Sequence, residues 1–420
     1  MNKRSKKLFW KNVSVVFSGT VLAQIIPILG SLIIARLFIP EAFGQFAIWL
    51  SFVLMFSVIC TGRYELSLSV ESDGKPRLYG VAANLLVVII TSIISTLLIS
   101  FFIFFSINFG ITNIQLYLVV VSGGLMGSLN IWQAWAAADG RFPQLSKMRI
   151  VISFAIFIFQ VGVGFLIPSI NTLILGQLAG VFIGILYSFY LSPLQSEYYL
   201  VRSYKKLANY LVKHRRFFIF SLPADSINSI SSQLPILIIG AKYGADIAGF
   251  LAMTIRALGA PIGLLGRAVL DVFKRHASVA FRKNQECRDH YIQTFKVLTL
   301  MSISVMPIIL LYSEELFTFA FGETWALSGT IAIWMLPMFL LRFVSSPLSY
   351  MFYLANKQSI DLVWQITLLL MTIITLYFAS TYKYALIYYA SGYSCLYVVY
   401  LFISYRLSCG DKKSKLINEE

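Results

Sequence analysis

Long apolar runs, each closed by charged residues or by Pro, Gly and Asn, recur along the whole chain. Their length fits membrane-spanning helices, which need about 20 consecutive apolar residues. They predict spans at 12–38, 42–69, 78–106, 113–138, 149–168 and 171–194, followed by a polar, basic segment at 195–213. Six more spans follow at 214–240, 246–273, 290–312, 327–354, 359–380 and 384–406, ahead of a tail at 407–420. The strict apolar–polar alternation of strands is absent, and the runs are too long for barrel strands. The pattern therefore predicts an all-α polytopic membrane protein with twelve transmembrane helices.

Composition agrees and narrows the choice. Of the 420 residues, 58% are hydrophobic and 12% are charged, and the mean hydropathy is +0.78. Soluble domains carry about twice that share of charge, so a water-soluble globular protein is excluded. No polar stretch is long enough to hold a soluble enzyme domain. The four cysteines, Cys60, Cys287, Cys395 and Cys409, form no CxxC pair. The histidines His214, His276 and His290 fall in predicted cytoplasmic loops and are not clustered in sequence, which speaks against a metal site. Neither a P-loop nor a catalytic constellation is present, so the sequence reads as a non-enzyme without bound cofactor or metal. Energy would come from a proton or sodium gradient, from the substrate's own gradient, or from a partner. The basic start MNKRSKKLFWK opens onto an apolar run without a small-residue cleavage site, which predicts a retained first span.

The net charge of +16 comes from 34 Lys and Arg against 18 Asp and Glu. Its distribution points to membrane topology rather than to nucleic acid, because cytoplasmic loops collect Lys and Arg. With the amino terminus inside, 26 of the 34 basic residues fall on the cytoplasmic side and only Arg36, Lys242 and Lys383 lie outside. The outer side also holds Glu314, Glu315 and Glu323, in a loop around Tyr312–Ala326. Both termini are therefore expected to be cytoplasmic. The short outer loops leave little room for an enzyme acting on external glycans.

The two halves resemble each other. LIIARLFIPEAFGQFAI at 32–48 aligns with LIIGAKYGADIAGFLAM at 237–253, with five of 17 positions identical. Gly62–Arg63 recurs as Gly266–Arg267, and the connector AlaAspGlyArgPhe at 138–142 has a counterpart in LeuAlaAsnLysGln at 354–358. Six spans per half make these parallel repeats. The expected organisation is a six-helix bundle at 1–194, a cytoplasmic linker at 195–213, a second bundle at 214–406 and a cytoplasmic tail at 407–420, with a central cleft between the bundles.

A charge at mid-bilayer costs at least about 2.5–3.5 kcal/mol, so each one inside a span needs a reason. Arg63, Arg256, Arg267 and Arg342 would give the cleft an excess of positive charge suited to an anionic substrate. Asp225 heads a polar stripe with Asn228 and Ser229 on span seven, and Gln24 lies on an equivalent stripe of span one. These four form a candidate polar lumen or ion-coupling site, while snorkelling and a structural Asp–Arg pair are the bland alternatives for the charges. Pro27, Pro223, Pro235 and Pro261 lie within predicted spans and are hinge candidates, static kinks being the alternative. Gly123–Gly127, Gly176–Gly180 and Gly259–Gly263 have the spacing of close helix contacts.

The segment GTVLAQIIPILGSLIIARLFIPEAFGQFAIW, the repeat LPILIIGAKYGADIAGFLAM and the connector ADGRFPQLSKMRI together resemble the Wzx-type O-antigen or polysaccharide-unit flippases of the multidrug/oligosaccharidyl-lipid/polysaccharide exporter superfamily. The resemblance implies a bacterial inner-membrane transporter for lipopolysaccharide or related polysaccharide biosynthesis. It would flip an undecaprenyl-diphosphate-linked oligosaccharide from the cytoplasmic to the outer leaflet by alternating access. Its partners would be that lipid-linked substrate, membrane lipids, and polysaccharide polymerase and chain-length proteins, with no nucleic acid, and a monomer would suffice. The alternatives are a multidrug and toxin exporter, which would favour buried carboxylates, a membrane enzyme of glycan assembly, and a nontransporting scaffold.

Overall fold

The computed structural model describes residues 23–105, 111–191, 204–355 and 357–410. The start of the first expected span, most of the expected linker and nearly all of the tail lie outside the described residues. Among the described residues every regular element is helical. The first six are α1 (Ala23–Leu37), α2 (Pro40–Ile59), α3 (Lys75–Phe104), α4 (Asn113–Ala138), α5 (Phe142–Gly164) and α6 (Ile170–Leu191). A short α7 (Tyr204–Lys213) and a π-helical turn at Phe217–Ser221 lead into α8 (Leu222–Tyr243). Then come α9 (Ala245–Asn284), α10 (Arg288–Phe321), α11 (Ala326–Leu348), α12 (Tyr350–Leu354), α13 (Gln358–Phe378) and α14 (Tyr382–Ser408).

Local chemistry sets several of these starts. Pro40, Pro76 and Pro143 occupy the first turns of α2, α3 and α5, where a missing N–H is harmless. Thr112 and Gln115 form a reciprocal cap on α4: the Gln115 N–H donates to Thr112 Oγ1 at 3.3 Å and the Thr112 N–H to Gln115 Oε1 at 3.1 Å.

This is a multi-pass membrane protein. Ten described helices are long and apolar enough to cross a membrane, against the twelve expected. The difference has two sources: α1 is described only from Ala23 onward, and α8 carries Asp225, Asn228 and a run of serines that make it too polar to count by hydropathy. Boundaries also moved. The expected span 42–69 is a helix only to Ile59, after which the chain turns and continues as a 3-10 helix at Tyr64–Ser69. The expected span 246–273 continues to Asn284, because its amphipathic end holds helical periodicity after apolarity fades. Glu314 and Glu315 belong to α10 rather than to an outer loop.

The chain divides into two compact units, Met1–Ala241 and Lys242–Glu420. In the first, α2, α3 and α4 pack around Cys60, Leu68, Val81, Trp132 and Trp135. The α5–α6 pair closes through glycines: a Cβ at Gly180 would lie 2.8 Å from the Ile156 backbone nitrogen, and one at Gly176 would lie 3.0 Å from that of Gln160. Gly123 and Gly127 likewise admit Phe56 and Cys60 of the second-span segment. The Gly259–Gly263 pair behaves differently, since a Cβ there meets nothing nearer than 4.0 Å and 3.7 Å respectively. Those two glycines make open space rather than a helix contact.

The polar segment ahead of α8 is not a free strap where it is described. Amphipathic α7 buries Leu207 and Tyr210 against α3, with Tyr210 Oη 2.6 Å from Ser67 Oγ. Lys213 Nζ donates to Glu71 Oε2 at 2.7 Å, and His214 Nε2 lies 2.8 Å from the same oxygen. Burial pushes the Glu71 carboxyl up, but the hydrogen bonds from Lys213, His214 and Ser72 outweigh it and hold the pKa down at about 2. In the second unit α9, α10 and α14 pack on α11, around Phe273, Tyr291, Leu298, Phe343 and Met351.

Gly180→Ala should loosen the α5–α6 contact by about 1–3 kcal/mol and lower the melting temperature of the purified protein, whereas Gly263→Ala should leave it unchanged. Because the folded Glu71 carboxyl titrates below its ordinary value of 4.5, its contribution is complete above that pH and fades as pH falls towards about 2. Proteolysis within α7 should therefore rise across that window in the wild type, and Glu71→Gln should show the raised cleavage already at neutral pH.

Candidate functional site

In the first unit the candidate charges sit at a break in the second span. Beyond Ile59 the backbone enters the left-handed region at two successive residues, Gly62 and Arg63, each with φ +57°. Gly62 suits that conformation, and a Cβ there would press to 3.2 Å against both the Phe218 and Tyr64 rings. Arg63 adopts it with a side chain attached, a strain of order 1–3 kcal/mol. The compensation is electrostatic: its Nε donates to Asp225 Oδ2 at 2.6 Å and its Nη1 to Glu65 Oε1 at 2.9 Å. Glu65 is buried, while Arg63 and Asp225 are half-buried.

Arg63 and Asp225, two separate sequence candidates, are thus each other's partners. The π turn at Phe217–Ser221 helps to bring them together, by carrying Phe218 onto Tyr64 with ring centroids 6.1 Å apart. Pro223 opens α8 just after that turn rather than lying inside it, so the N–H it lacks falls at the turn. Pro235 is buried within α8. Asn228 is exposed and Ser229 half-buried on α8, and Gln24 and Pro27 are half-buried on α1.

In the second unit, α9 and α11 bring Arg267 and Arg342 to one cavity of about 430 Å³, which Gly259, Gly263, Phe339 and Ser346 also line. Arg267 Nε donates to the Gly263 carbonyl at 2.9 Å, folding the guanidinium back along α9 over the space that the missing Cβ leaves. Arg342 extends from the proline-containing α11 and is close enough to act electrostatically on Tyr389 and Tyr397. Both arginines are exposed, and among the described side chains no carboxylate forms an ion pair with either. Arg256 is half-buried on α9 and does not line this cavity. Two positive charges over a hollow lined otherwise by Ser346, glycines and apolar side chains offer paired N–H donors to an anion.

The sequence reading missed the aromatic wall behind Arg342. Tyr389, Tyr393 and Tyr397 follow at i, i+4, i+8 along α14 with ring centroids 4.7 Å and 5.7 Å apart, and the Trp364 ring lies tilted against Tyr400 at 4.3 Å. That spacing was the available signal. The histidines also differ from the expectation of scattered loops: His276 on α9 and His290 on α10 have ring centroids 5.7 Å apart, and His214 bonds Glu71. Among the described residues no group of three or more His, Cys, Asp or Glu side chains is placed to hold a metal.

Residues 33–329 match the sequence profile of a family described as polysaccharide biosynthesis protein. No curated protein sequence matches the chain. Among solved structures, the lipid II flippase MurJ in an inward closed conformation superposes with a TM-score of 0.69 at 14% identity, covering 93% of this chain and 87% of its own. An inward-facing multidrug resistance MATE family transporter of the MOP superfamily superposes with a TM-score of 0.66 at 13% identity, covering 92% and 94%. A MOP superfamily transporter from Pyrococcus furiosus gives 0.58 at 14% identity, covering 94% of each chain. The fold is that of MOP-superfamily transporters.

Removing either side of the Arg63–Asp225 pair should cost about 1–3 kcal/mol, the range for a charged hydrogen bond broken away from full solvent. Arg63→Gln and Asp225→Asn should each lower the melting temperature, and the double variant should lose clearly less than the sum of the two, as read in a double-mutant cycle.

Proposed function

The chain belongs to the polysaccharide biosynthesis protein family, and from that premise we propose that it is a flippase for an undecaprenyl-diphosphate-linked oligosaccharide. The cargo is an O-antigen or related polysaccharide repeat unit, moved from the cytoplasmic to the outer leaflet of a bacterial inner membrane by alternating access. Both termini are cytoplasmic in this reading, which puts the Lys- and Arg-rich connectors on the side where they are favoured. The protein acts as a transporter rather than an enzyme. A monomer suffices, next to the membrane lipids, the polymerase and the chain-length proteins of the same biosynthesis.

One observation carries the reading: Arg267 and Arg342 face one cavity of about 430 Å³. A diphosphate must shed water to cross the bilayer, and it does so only if fixed donors replace that water. Guanidinium groups supply paired N–H donors at the spacing of phosphate oxygens. The glycines beside them let the sugar-bearing head approach the α9 backbone. Arg256, on the same helix but outside this cavity, would meet the head only at another stage of its passage. An exporter of cationic drugs would place carboxylates here instead.

The Arg63–Asp225 pair is where an ion gradient would act. Protonating Asp225, or exchanging Arg63 for sodium at its carboxylate, breaks the tie between the second-span break and α8. Transport then needs no bound cofactor. Pro27, Pro223, Pro235 and Pro261 are the positions at which the helices would bend as access switches.

Arg342→Ala, Arg267→Ala and Arg256→Ala should each reduce surface glycan by about tenfold or more, as expected when a desolvated charge contact of about 2–5 kcal/mol is lost. Protein levels in the membrane should stay the same, and lysine at position 342 should restore part of the transport. Unchanged surface glycan in the Arg256→Ala/Arg342→Ala double variant at matched protein levels would refute the cationic site.

A further inference from the structure

The arginine cavity does not end at its polar residues. Ile262 of α9 and Phe339 of α11 also line a second hollow, of about 370 Å³, whose surface is almost wholly apolar. Its walls are Leu258, Pro261 and Leu265 on α9 and Val305 and Ile309 on α10, over Leu340 of α11. The volume lies within the range of about 300–1,000 Å³ seen for ligand sites.

The origin of this furrow is visible in the packing. α9 and α10 each lie closely along α11 but touch one another little, so a trough stays open between them. Both walls carry an interior proline, Pro261 on α9 and Pro307 on α10. Each removes one backbone hydrogen bond from its helix. Along α9 the cavity-lining Gly259, Gly263 and Arg267 occupy one face, and the furrow-lining Leu258, Pro261 and Leu265 the adjoining one, with Ile262 at the border. Leu265 and Val305 are each 46% exposed.

We infer that this furrow seats the first part of the polyprenyl tail of the substrate whose diphosphate occupies the Arg267–Arg342 cavity. The inference rests on the flippase reading and adds a place for the tail, which the family resemblance leaves free in the bilayer. Charge complementarity selects this occupant: the furrow shares Ile262 and Phe339 with the cavity that holds Arg267 and Arg342, so a chain seated in the furrow can carry an anionic head to the two guanidinium groups. Its neighbour, a hollow of about 530 Å³ between α10, α11 and α14, shares Ser302, Leu336 and Leu340 with the furrow but no residue with the arginine cavity. Apolarity alone gives the tail no preference for protein over lipid, since bilayer chains are as apolar as leucine. The furrow therefore acts by shape, fixing the direction in which the tail leaves the head and holding the diphosphate in register with the two guanidinium groups.

The test uses the full-length protein in vesicles of phosphatidylethanolamine and phosphatidylglycerol, with a photoreactive residue at Val305 and radiolabelled undecaprenyl diphosphate as probe. The control carries the same residue at Val163, which lines an apolar hollow of about 480 Å³ on α4, α5 and α6 with no arginine in its lining. Labelling at Val305 should exceed that at Val163 by about tenfold, persist in excess phosphatidylglycerol, and fall to the control level with Arg267→Gln/Arg342→Gln. Equal labelling at the two positions, loss of labelling to phosphatidylglycerol, or none at Val305 would overturn the furrow. Leaflet transfer of lipid-linked oligosaccharide in the same vesicles separates the two levels. Transfer without Val305 labelling removes the furrow and leaves the flippase; Val305 labelling without transfer supports the furrow and removes the flippase.

Discussion

A guanidinium held inside a lipid-embedded fold must find either a carboxylate or a polar cavity, because hydrocarbon offers neither water nor counter-ion. The two units meet that requirement in the two available ways. In the first, Arg63 is drawn into contact with Asp225 and Glu65 at the cost of a left-handed backbone. In the second, Arg267 and Arg342 stand over a hollow that two glycines keep open. The end of α2 at Ile59, the π turn ahead of α8 and the bare α9 face at Gly259 and Gly263 all lie beside these charges.

The contrast is sharpest at the repeated Gly–Arg pair. Gly62–Arg63 ends a helix, while Gly266–Arg267 lies inside the uninterrupted 40-residue α9. Related sequence thus yields a turn in one half and a continuous helix in the other. The first copy has two carboxylates within reach to reward the turn, and the second folds back on its own helix, donating to the Gly263 carbonyl. An internal repeat therefore need not give two equivalent sites. Here one copy is paired within its unit, and the other presents its charge to a cavity.

Much of the architecture was readable from hydropathy alone: the all-helical membrane class and the order of the spans follow from long apolar runs, whereas the two compact units divide between Ala241 and Lys242, beyond the expected linker at 195–213. Hydropathy failed where helices are polar for a reason. It truncated α9 at its amphipathic end, extended the second span across the turn at Gly62–Arg63, and treated the segment holding α7 as a linker although Leu207 and Tyr210 anchor it. The candidate arginines were recognisable as charges inside spans. Their pairing was not, because Arg63 and Asp225 are 162 positions apart and nothing local in either sequence names the other. Nor could spacing alone tell the contact glycines Gly176 and Gly180 from Gly259 and Gly263, which face open space. That distinction depends on which neighbour the helix meets.

The central claim is that this membrane protein moves a lipid-linked oligosaccharide across the bilayer. It is tested most directly by the leaflet distribution of that lipid in cells with and without the gene. Accumulation on the cytoplasmic face in its absence, reversed when the gene is restored, is the predicted result. Undiminished appearance of the lipid-linked unit on the outer face without the protein would contradict it.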